Sequence, residues 1–308
     1  MVINEVNMAI NITLIKKWTK MLLGKSVYHV NQDCGKFINR YKIEGYYNNL
    51  MEKVSFRNNS SELPITTTDD GRKIFFPIEL AQYGLGAYDL FLKTNDEYYL
   101  YIAEKCGEWL LDNQGDNGGW RNFEFLNPTF PYSSMAQGEA VSLFARLFVS
   151  KNDKKYLSAA KKAIDFMLLP IEKGGTAKYE GQDIYLYEYT IPGETIVLNG
   201  WIFSIWGIYD YYLLTLDNEI YNIFKKSISS LLNKLEVYDC GYWTYYDEQV
   251  KIASPFYHRL HIAQLQALYE ITNIEKFQFY EKKWRKYNSN FLNKSRAFII
   301  KAYQKIFE

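Results

Sequence analysis

Cysteine and histidine are scarce in this chain. Three cysteines, Cys34, Cys106 and Cys240, stand isolated in 308 residues. Their odd number and the lack of a CxxC spacing argue against a disulfide framework and against a cysteine-built zinc site. The thiols are therefore read as reduced, in a cytoplasmic protein. The three histidines are His29, His258 and His261. Two ligands do not make a zinc site, His29 is remote in the chain, and no HExxH-like pattern is present, so neither a metal nor a cofactor is expected. Charge of one sign is lacking too. With 36 basic and 35 acidic residues the net charge is +1, and no global field draws the chain to nucleic acid or to an anionic membrane; a polyanionic partner would have to be held locally. Long apolar runs are also missing. The N-terminal stretch MVINEVNMAINITLIKKWTKMLLGK is interrupted by Lys16, Lys17 and Lys20, so neither a membrane span nor a signal peptide is expected. Residues 10–23 are expected to form an amphipathic helix that packs on the body or touches a membrane surface.

What the chain has in excess is aromatic side chains: 28 Tyr, 19 Phe and 7 Trp, or 18% of residues. Tyrosine joins a stacking face to a polar end that wants a partner. A cleft built from such residues suits sugars.

Four segments share a helical apolar pattern: PIELAQYGLGAYDLFL (77–92), SSMAQGEAVSLFARLF (133–148), TIVLNGWIFSIWGIYDYYL (195–213) and HRLHIAQLQALYEI (258–271). Aligned on Gln82, Gln137, Asn199 and Gln264, they recur about every 60 residues. Each is followed by a short polar turn and a second helix with Asn or Asp cap candidates and one apolar stripe. On a helical wheel the segment 258–271 leaves only Arg259, Gln266 and Glu270 as a polar wedge, as expected of an inner helix buried nearly all round. The expected fold is all-α: an incomplete α/α toroid of about four inner/outer helix pairs. Aromatic loops at 113–125, 174–194 and 237–256 are expected to form short β-hairpins. Residues 1–72 read as an N-terminal helical and loop extension packing on the body, and 73–308 as the toroid.

Inner helices that run parallel gather their N-terminal ends on one rim. That brings together Phe76, Tyr132, Glu188 with Tyr189, and Tyr257 with His258. Helix N-termini favour a carboxylate ligand. In YLYEYTIPGE (185–194), Glu188 and Tyr189 can serve one site only if the strand ends or bends there. Glu188, Glu194, Glu139 and Asp247 offer the paired carboxylates of a glycoside hydrolase. His258 and His261 are open to two readings, a buried structural pair or a cleft-lining role for His258.

The motifs PIELAQYGLGAYDLFL, NQGDNGGW, YSSMAQGEAVSLFARLF, YEYTIPGETIVLNGWIFSIWGIYDYY, YWTYYD and YHRLHIAQLQAL, in this order, resemble the C-terminal domain of the D-glucuronyl C5-epimerases, across roughly residues 45–290. These enzymes invert C5 of glucuronate in heparosan-type polysaccharides to iduronate. The resemblance implies an α/α toroid, a uronate-containing polysaccharide as partner, a homodimer, and catalysis by Glu188, Tyr189, Tyr246 and Tyr257. Tyr257 and Tyr246 are expected on opposite faces of the sugar. Tyr83, Tyr132, Gln137, Asn199, His258 and Arg259 are expected to line the substrate site, with Arg259 or Arg121 facing the substrate carboxylate. The chain lacks the β-rich insertion of the animal enzymes, and Gln249 stands where those enzymes carry an arginine. Two other readings share these features: a polysaccharide lyase or hydrolase on the same fold, and a non-catalytic glycan-binding assembly factor.

Overall fold

The computed structural model describes residues 30–68 and 71–307; the amphipathic segment 10–23 and His29 lie outside them. A short helix α1 (Met51–Ser55) and a two-stranded ribbon, β1 (Thr66–Thr67) with β2 (Lys73–Ile74), precede the repeats. Then come four helical hairpins: α2 (Pro77–Thr94) with α3 (Glu97–Asp112), α4 (Ser134–Lys151) with α5 (Lys154–Met167), α6 (Leu198–Thr215) with α7 (Asn218–Lys234), and α8 (Pro255–Thr272) with α9 (Glu275–Ser289). A last helix, α10, spans Phe291–Phe307. The first member of each hairpin faces the middle of the molecule, and α2, α4, α6 and α8 pack in that order. This is an α/α toroid, open between α8 and α2.

The inner helices are buried almost all round because both the ring interior and the outer helices cover them. In α8 the residues left partly open include Arg259, Gln266 and Glu270, the wedge read from the wheel. The closest inner contact joins α4 and α6, where a Cβ on Gly138 would lie 2.6 Å from Ser204 Cα and one on Gly207 2.5 Å from Gly138 Cα. Side chains there would force the two helices apart.

All four inner helices are 18 residues long and end alike. A residue in the left-handed region (Asn95, Asn152, Leu216 or Asn273) closes the helix. The next residue starts the outer helix, and Asp96, Asp153 and Asp217 each accept the N–H two residues on. Thr94, Thr215 and Thr272 bond back to the carbonyl four residues earlier and accept the N–H of the first outer-helix cap. Leu216 departs from this pattern: a branched side chain at φ 54°, 69% exposed, where the other three turns use Asn. A left-handed residue other than Gly or Asn costs about 1–2 kcal/mol. Leu216→Asn is therefore expected to raise stability by about 0.5–1 kcal/mol, seen as a higher thermal midpoint; a lower midpoint would contradict this account.

One of the three expected hairpins forms as a regular pair, β3 (Ala177–Glu180) with β4 (Asp183–Leu186). The segment 237–256 is held by single bridges, Asp239 to Thr244 and Tyr245 to Ile252. Residues 113–125 form turns with no strand, since their Gly and Asn residues curl the backbone too tightly for a ladder.

Residues 30–55 are not a loose extension. They run from the end of α8 across the ring: Arg40 binds the carbonyl of Glu270, Tyr209 Oη donates to the Arg40 carbonyl, Arg146 donates to Gly45 O, and Tyr46 N–H donates to Asp89. Lys53 then pairs with Glu79 on α2. The segment thus spans the side that four hairpins leave open. Among the described residues no helix is long and apolar enough to cross a membrane.

Candidate active site

At the N-terminal ends of the inner helices lies a cavity of about 290 Å³. Its wall takes Phe76 and Glu79 from the start of α2, Glu188 and Tyr189 from the loop before α6, Asn199 from α6, and Phe256 and Tyr257 from the first turn of α8. Strand β4 ends at Leu186 and the chain bends at Glu188, so consecutive residues 188 and 189 both reach the cavity. Pro255 and the Ser254 cap, whose hydroxyl accepts Tyr257 N–H, fix the start of α8 and with it Tyr257.

Glu188, Tyr189, Tyr246 and Tyr257 form one connected group. The Tyr189 hydroxyl hydrogen-bonds the Glu188 carboxylate, and the Tyr246 hydroxyl is in hydrogen-bond contact with both Tyr189 and Tyr257. The rings support the chain: Tyr189 stacks on Phe123 at 4.5 Å, and Tyr246 lies 4.8 Å from Tyr257. Tyr257 and Tyr189 line the cavity; Tyr246 joins them and is not part of its lining.

Burial pushes the Glu188 carboxyl up to about 8, with the Tyr189 hydrogen bond working against the shift. Burial, then the charge of Glu188, also raises Tyr257 and Tyr246 above the usual phenol range. Glu139, the second carboxyl considered for a hydrolase pair, is fully buried, is raised by burial, and accepts Gln82 Nε2 at 2.8 Å. At neutral pH the Glu188 carboxyl is thus favoured in its neutral form. Glu188 Oε2, Glu139 Oε2, Asn199 Oδ1 and both side-chain atoms of Gln137 are buried without a hydrogen-bond partner. Of these, the Glu188 and Asn199 atoms belong to residues that line the cavity, where a polar ligand would offset the cost of leaving them unpartnered.

Several expected site residues lie elsewhere. Tyr132 takes a hydrogen bond from Asn117 and packs on Phe166. Tyr83 is buried, donating to Ser60 O. His258 is fully buried, stacks on Trp243 at 3.6 Å, and shares Thr244 Oγ1 with His261 at 2.9 and 3.1 Å. Its Nε2 lies 3.2 Å from Trp284 O, so Nε2 carries the proton and Nδ1 accepts from Thr244. Burial depresses both imidazoles, His261 to about 3. They are a neutral structural pair, and His258 does not reach Tyr257's hydroxyl chemistry. Arg259 faces Asn31 and a separate surface groove, while Arg121 pairs with Glu124 at the surface. Gln137 is buried within α4 and does not line the cavity; Asn199 does.

The residues missed are Lys53 and Glu79. Lys53 lines the cavity, 1% exposed, at 2.7 Å from Glu79, whose other oxygen binds Arg57 at 2.9 Å. A signal existed for Glu79, which lies inside a mostly apolar inner helix, a position where a charge needs a reason; the short helix MEKVS is mostly polar and gives none for Lys53.

Comparison with known proteins decides the lineage. The family model described as D-glucuronyl C5-epimerase C-terminus matches residues 122–286. The chain belongs to this family. It is 30% identical over 207 residues to the D-glucuronyl C5-epimerase of Caenorhabditis elegans, covering 58% of this chain and 33% of that enzyme. It thus spans about a third of that relative's length. An uncharacterised protein of Methanocaldococcus jannaschii is 32% identical over 244 residues, 72% of this chain and 76% of that protein. Solved structures share the toroid. Cellobiose 2-epimerase from Spirochaeta thermophila has a TM-score of 0.53 at 12% identity, covering 91% of this chain and 86% of that one. A GH76 α-mannanase from Bacteroides thetaiotaomicron scores 0.52 at 14% identity, covering 78% and 67%. All four residues of the tyrosine–glutamate group in this C5-epimerase-family chain fall within the matched span, whereas Lys53 and Glu79 precede it.

Gly200, in the LNG motif that opens α6, shows how closely Glu188 is held. A Cβ there would lie 2.4 Å from Glu188 Oε2. Gly200→Ala is expected to displace the carboxylate and cut turnover by roughly 10²-fold, the scale of a 1 Å misplacement. A steady-state assay of the variant, with its thermal midpoint as control, checks this; near-normal turnover would sink it.

Proposed function

We propose that this chain is a carbohydrate epimerase that inverts C5 of D-glucuronate residues within a polysaccharide to L-iduronate, in the cytoplasm and without a cofactor. The observation that carries the reading is the hydrogen-bonded group Glu188–Tyr189–Tyr246–Tyr257, two of whose tyrosines open into a cavity at the helix N-termini.

The C5 hydrogen lies α to a carboxylate and is a very weak acid, so the site must stabilise an enediolate-like state and supply proton donors and acceptors. In the proposed reaction the C5–H bond breaks toward the Tyr257 oxygen, and its electron pair moves onto the uronate carboxylate. Tyr257 passes its own proton to Tyr246, Tyr246 passes one to Tyr189, and Tyr189 protonates C5 on the opposite face. The proton count closes without a co-reactant. Tyrosines raised above their usual range are poor free bases, and a concerted relay avoids the need for a standing tyrosinate. Glu188 orients the Tyr189 hydroxyl. Among the described lining residues Lys53 is the cationic one, suited to the charge that develops on the uronate carboxylate.

Incubating heparosan with the protein in deuterated water tests the proposal. Deuterium at C5 with iduronate signals in the NMR spectrum supports it. Chain shortening or unsaturated-uronate absorbance would replace it with a hydrolase or lyase, and binding without exchange would leave a glycan-binding role.

The raised Glu188 carboxyl has a consequence for stability. Its folded value of about 8 lies above the unfolded value of about 4.3. Between these, the folded chain holds more protons, so stability falls as pH rises from about 4 to 8, by up to about 1.4 kcal/mol per unit. Glu188→Gln is expected to gain on the wild type steadily across that window in denaturant titrations, and a constant difference across pH would refute the assignment.

A further inference from the structure

The last helix presents a face that the ring does not use. Through Ala297, Ile300 and Gln304, α10 packs against the segment that carries Trp243 and Tyr246; Gln304 Oε1 accepts Ile252 N–H. Facing the other way, Phe291, Leu292, Phe298, Ile299 and Tyr303 are exposed, three of them at 77%, 75% and 66% (Phe291, Leu292 and Ile299). Taken at about 100° per residue, these five fall within one arc about 140° wide. Arg296 lies at one edge of that arc; Lys294 and Lys301 lie at the other. From Phe291 to Phe307 the sequence has four cations, Lys294, Arg296, Lys301 and Lys305, and no carboxylate. On one side Lys294 and Phe298 border a groove of about 490 Å³ that Arg259 and Asn288 also line.

An apolar stripe with basic flanks and aromatic residues is the pattern of a helix lying in a membrane interface. Other occupants fit poorly. A second copy of α10 would set like charges against each other. The first 29 residues of this chain are themselves basic, with four lysines (16, 17, 20 and 25) against Glu5. We propose that α10 docks this protein on an anionic lipid surface, its apolar stripe entering the acyl boundary and Lys294 and Arg296 meeting headgroup phosphates. The helix lies beyond the residues that match the family model. The docking proposal stands or falls independently of the reaction proposed above.

The test is co-sedimentation of the full chain with vesicles of phosphatidylcholine alone or with 30 mol% phosphatidylglycerol. Binding is expected only to the anionic vesicles and should weaken at least tenfold in about 0.5 M NaCl, where the screening length falls to a few ångströms. The double variant Leu292→Ser/Ile299→Ser should lose at least tenfold, and Lys294→Gln/Arg296→Gln about fivefold per charge. The Leu292→Ser/Ile299→Ser variant should keep the wild-type circular dichroism spectrum and thermal midpoint, since both side chains are exposed; the charge variant, which also removes the Arg296 guanidinium from the Tyr242 ring 3.9 Å away, should keep the spectrum and melt at most a few degrees lower. Absence of wild-type binding, unchanged binding by the variants, equal binding to both vesicles, or a change of oligomeric mass instead of lipid affinity would each overturn the proposal.

Discussion

Replacing Tyr257 with phenylalanine is expected to lower C5 deuterium incorporation into a glucuronate polymer by roughly 10²–10⁴-fold, the usual contribution of a positioned acid or base. The substitution removes one oxygen and little else. The ring keeps its neighbours, Tyr246 at 4.8 Å and Phe256 at 5.1 Å, and the backbone keeps its bond to Ser254. Folding should therefore be close to normal and KM little changed, with the loss falling on kcat. In the proposed relay the Tyr257 oxygen is the atom that meets the C5 proton; its neighbour Phe256 has no titratable group, and Tyr189 serves the opposite face. Tyr246→Phe gives a contrasting result. It breaks the link between Tyr257 and Tyr189 without touching the cavity wall, so exchange at one face could persist while net inversion fails. A Tyr257→Phe variant that keeps more than about a tenth of wild-type exchange would take this residue out of the proton path.

Much of this arrangement is legible in the amino-acid sequence, for a physical reason: the repeat is written in helix chemistry. Inner helices need apolar residues all round, outer helices need a stripe, and the turn between them needs a left-handed residue followed by a cap. The better register lies in that turn. Asn95-Asp96, Asn152-Asp153, Leu216-Asp217 and Asn273-Ile274 occupy equivalent positions, 57, 64 and 57 residues apart. Gln82, Gln137, Asn199 and Gln264, which align the four segments by residue type, do not: they fall at different depths along their helices. Polar residues inside a ring are placed by what they meet, not by the repeat. For the same reason Glu188, Tyr189 and Tyr257 are readable from their loops, while Tyr132 and Tyr83, which look equally apt, spend their hydroxyls on Asn117 and Ser60. Lys53 cannot be placed from the sequence because its role depends on how a non-repeating segment crosses the ring. Such long-range contacts leave no local pattern.

That crossing segment also sets where the fold is most vulnerable. Arg146 on α4 is 1% exposed, and its guanidinium donates to Asp210 Oδ2 on α6 at 2.7 Å and to Gly45 O at 2.8 Å. Tyr47 donates to the other Asp210 oxygen at 2.6 Å, and the rings of Tyr46 and Tyr47 flank the guanidinium. One cation therefore ties two inner helices to residues 45–47, near the helix ends opposite the cavity. Arg146→Met keeps the length and loses the charge, leaving Asp210 buried with only Tyr47 to satisfy it. Breaking one side of a buried pair costs about 3–5 kcal/mol, so the variant is expected to unfold at markedly lower denaturant and to melt about ten degrees lower. The double variant Arg146→Met/Asp210→Leu should recover a large part of that loss, since no lone charge remains buried. If the single variant lost under about 1 kcal/mol, the guanidinium would not be what fastens the N-terminal segment. If the double variant were as unstable as the sum of the singles, the cost would lie in packing rather than in charge. In either variant the cavity residues are untouched, so whatever fraction remains folded should turn over at the wild-type rate. That separates a device that holds the ring together from the group proposed to act on the sugar.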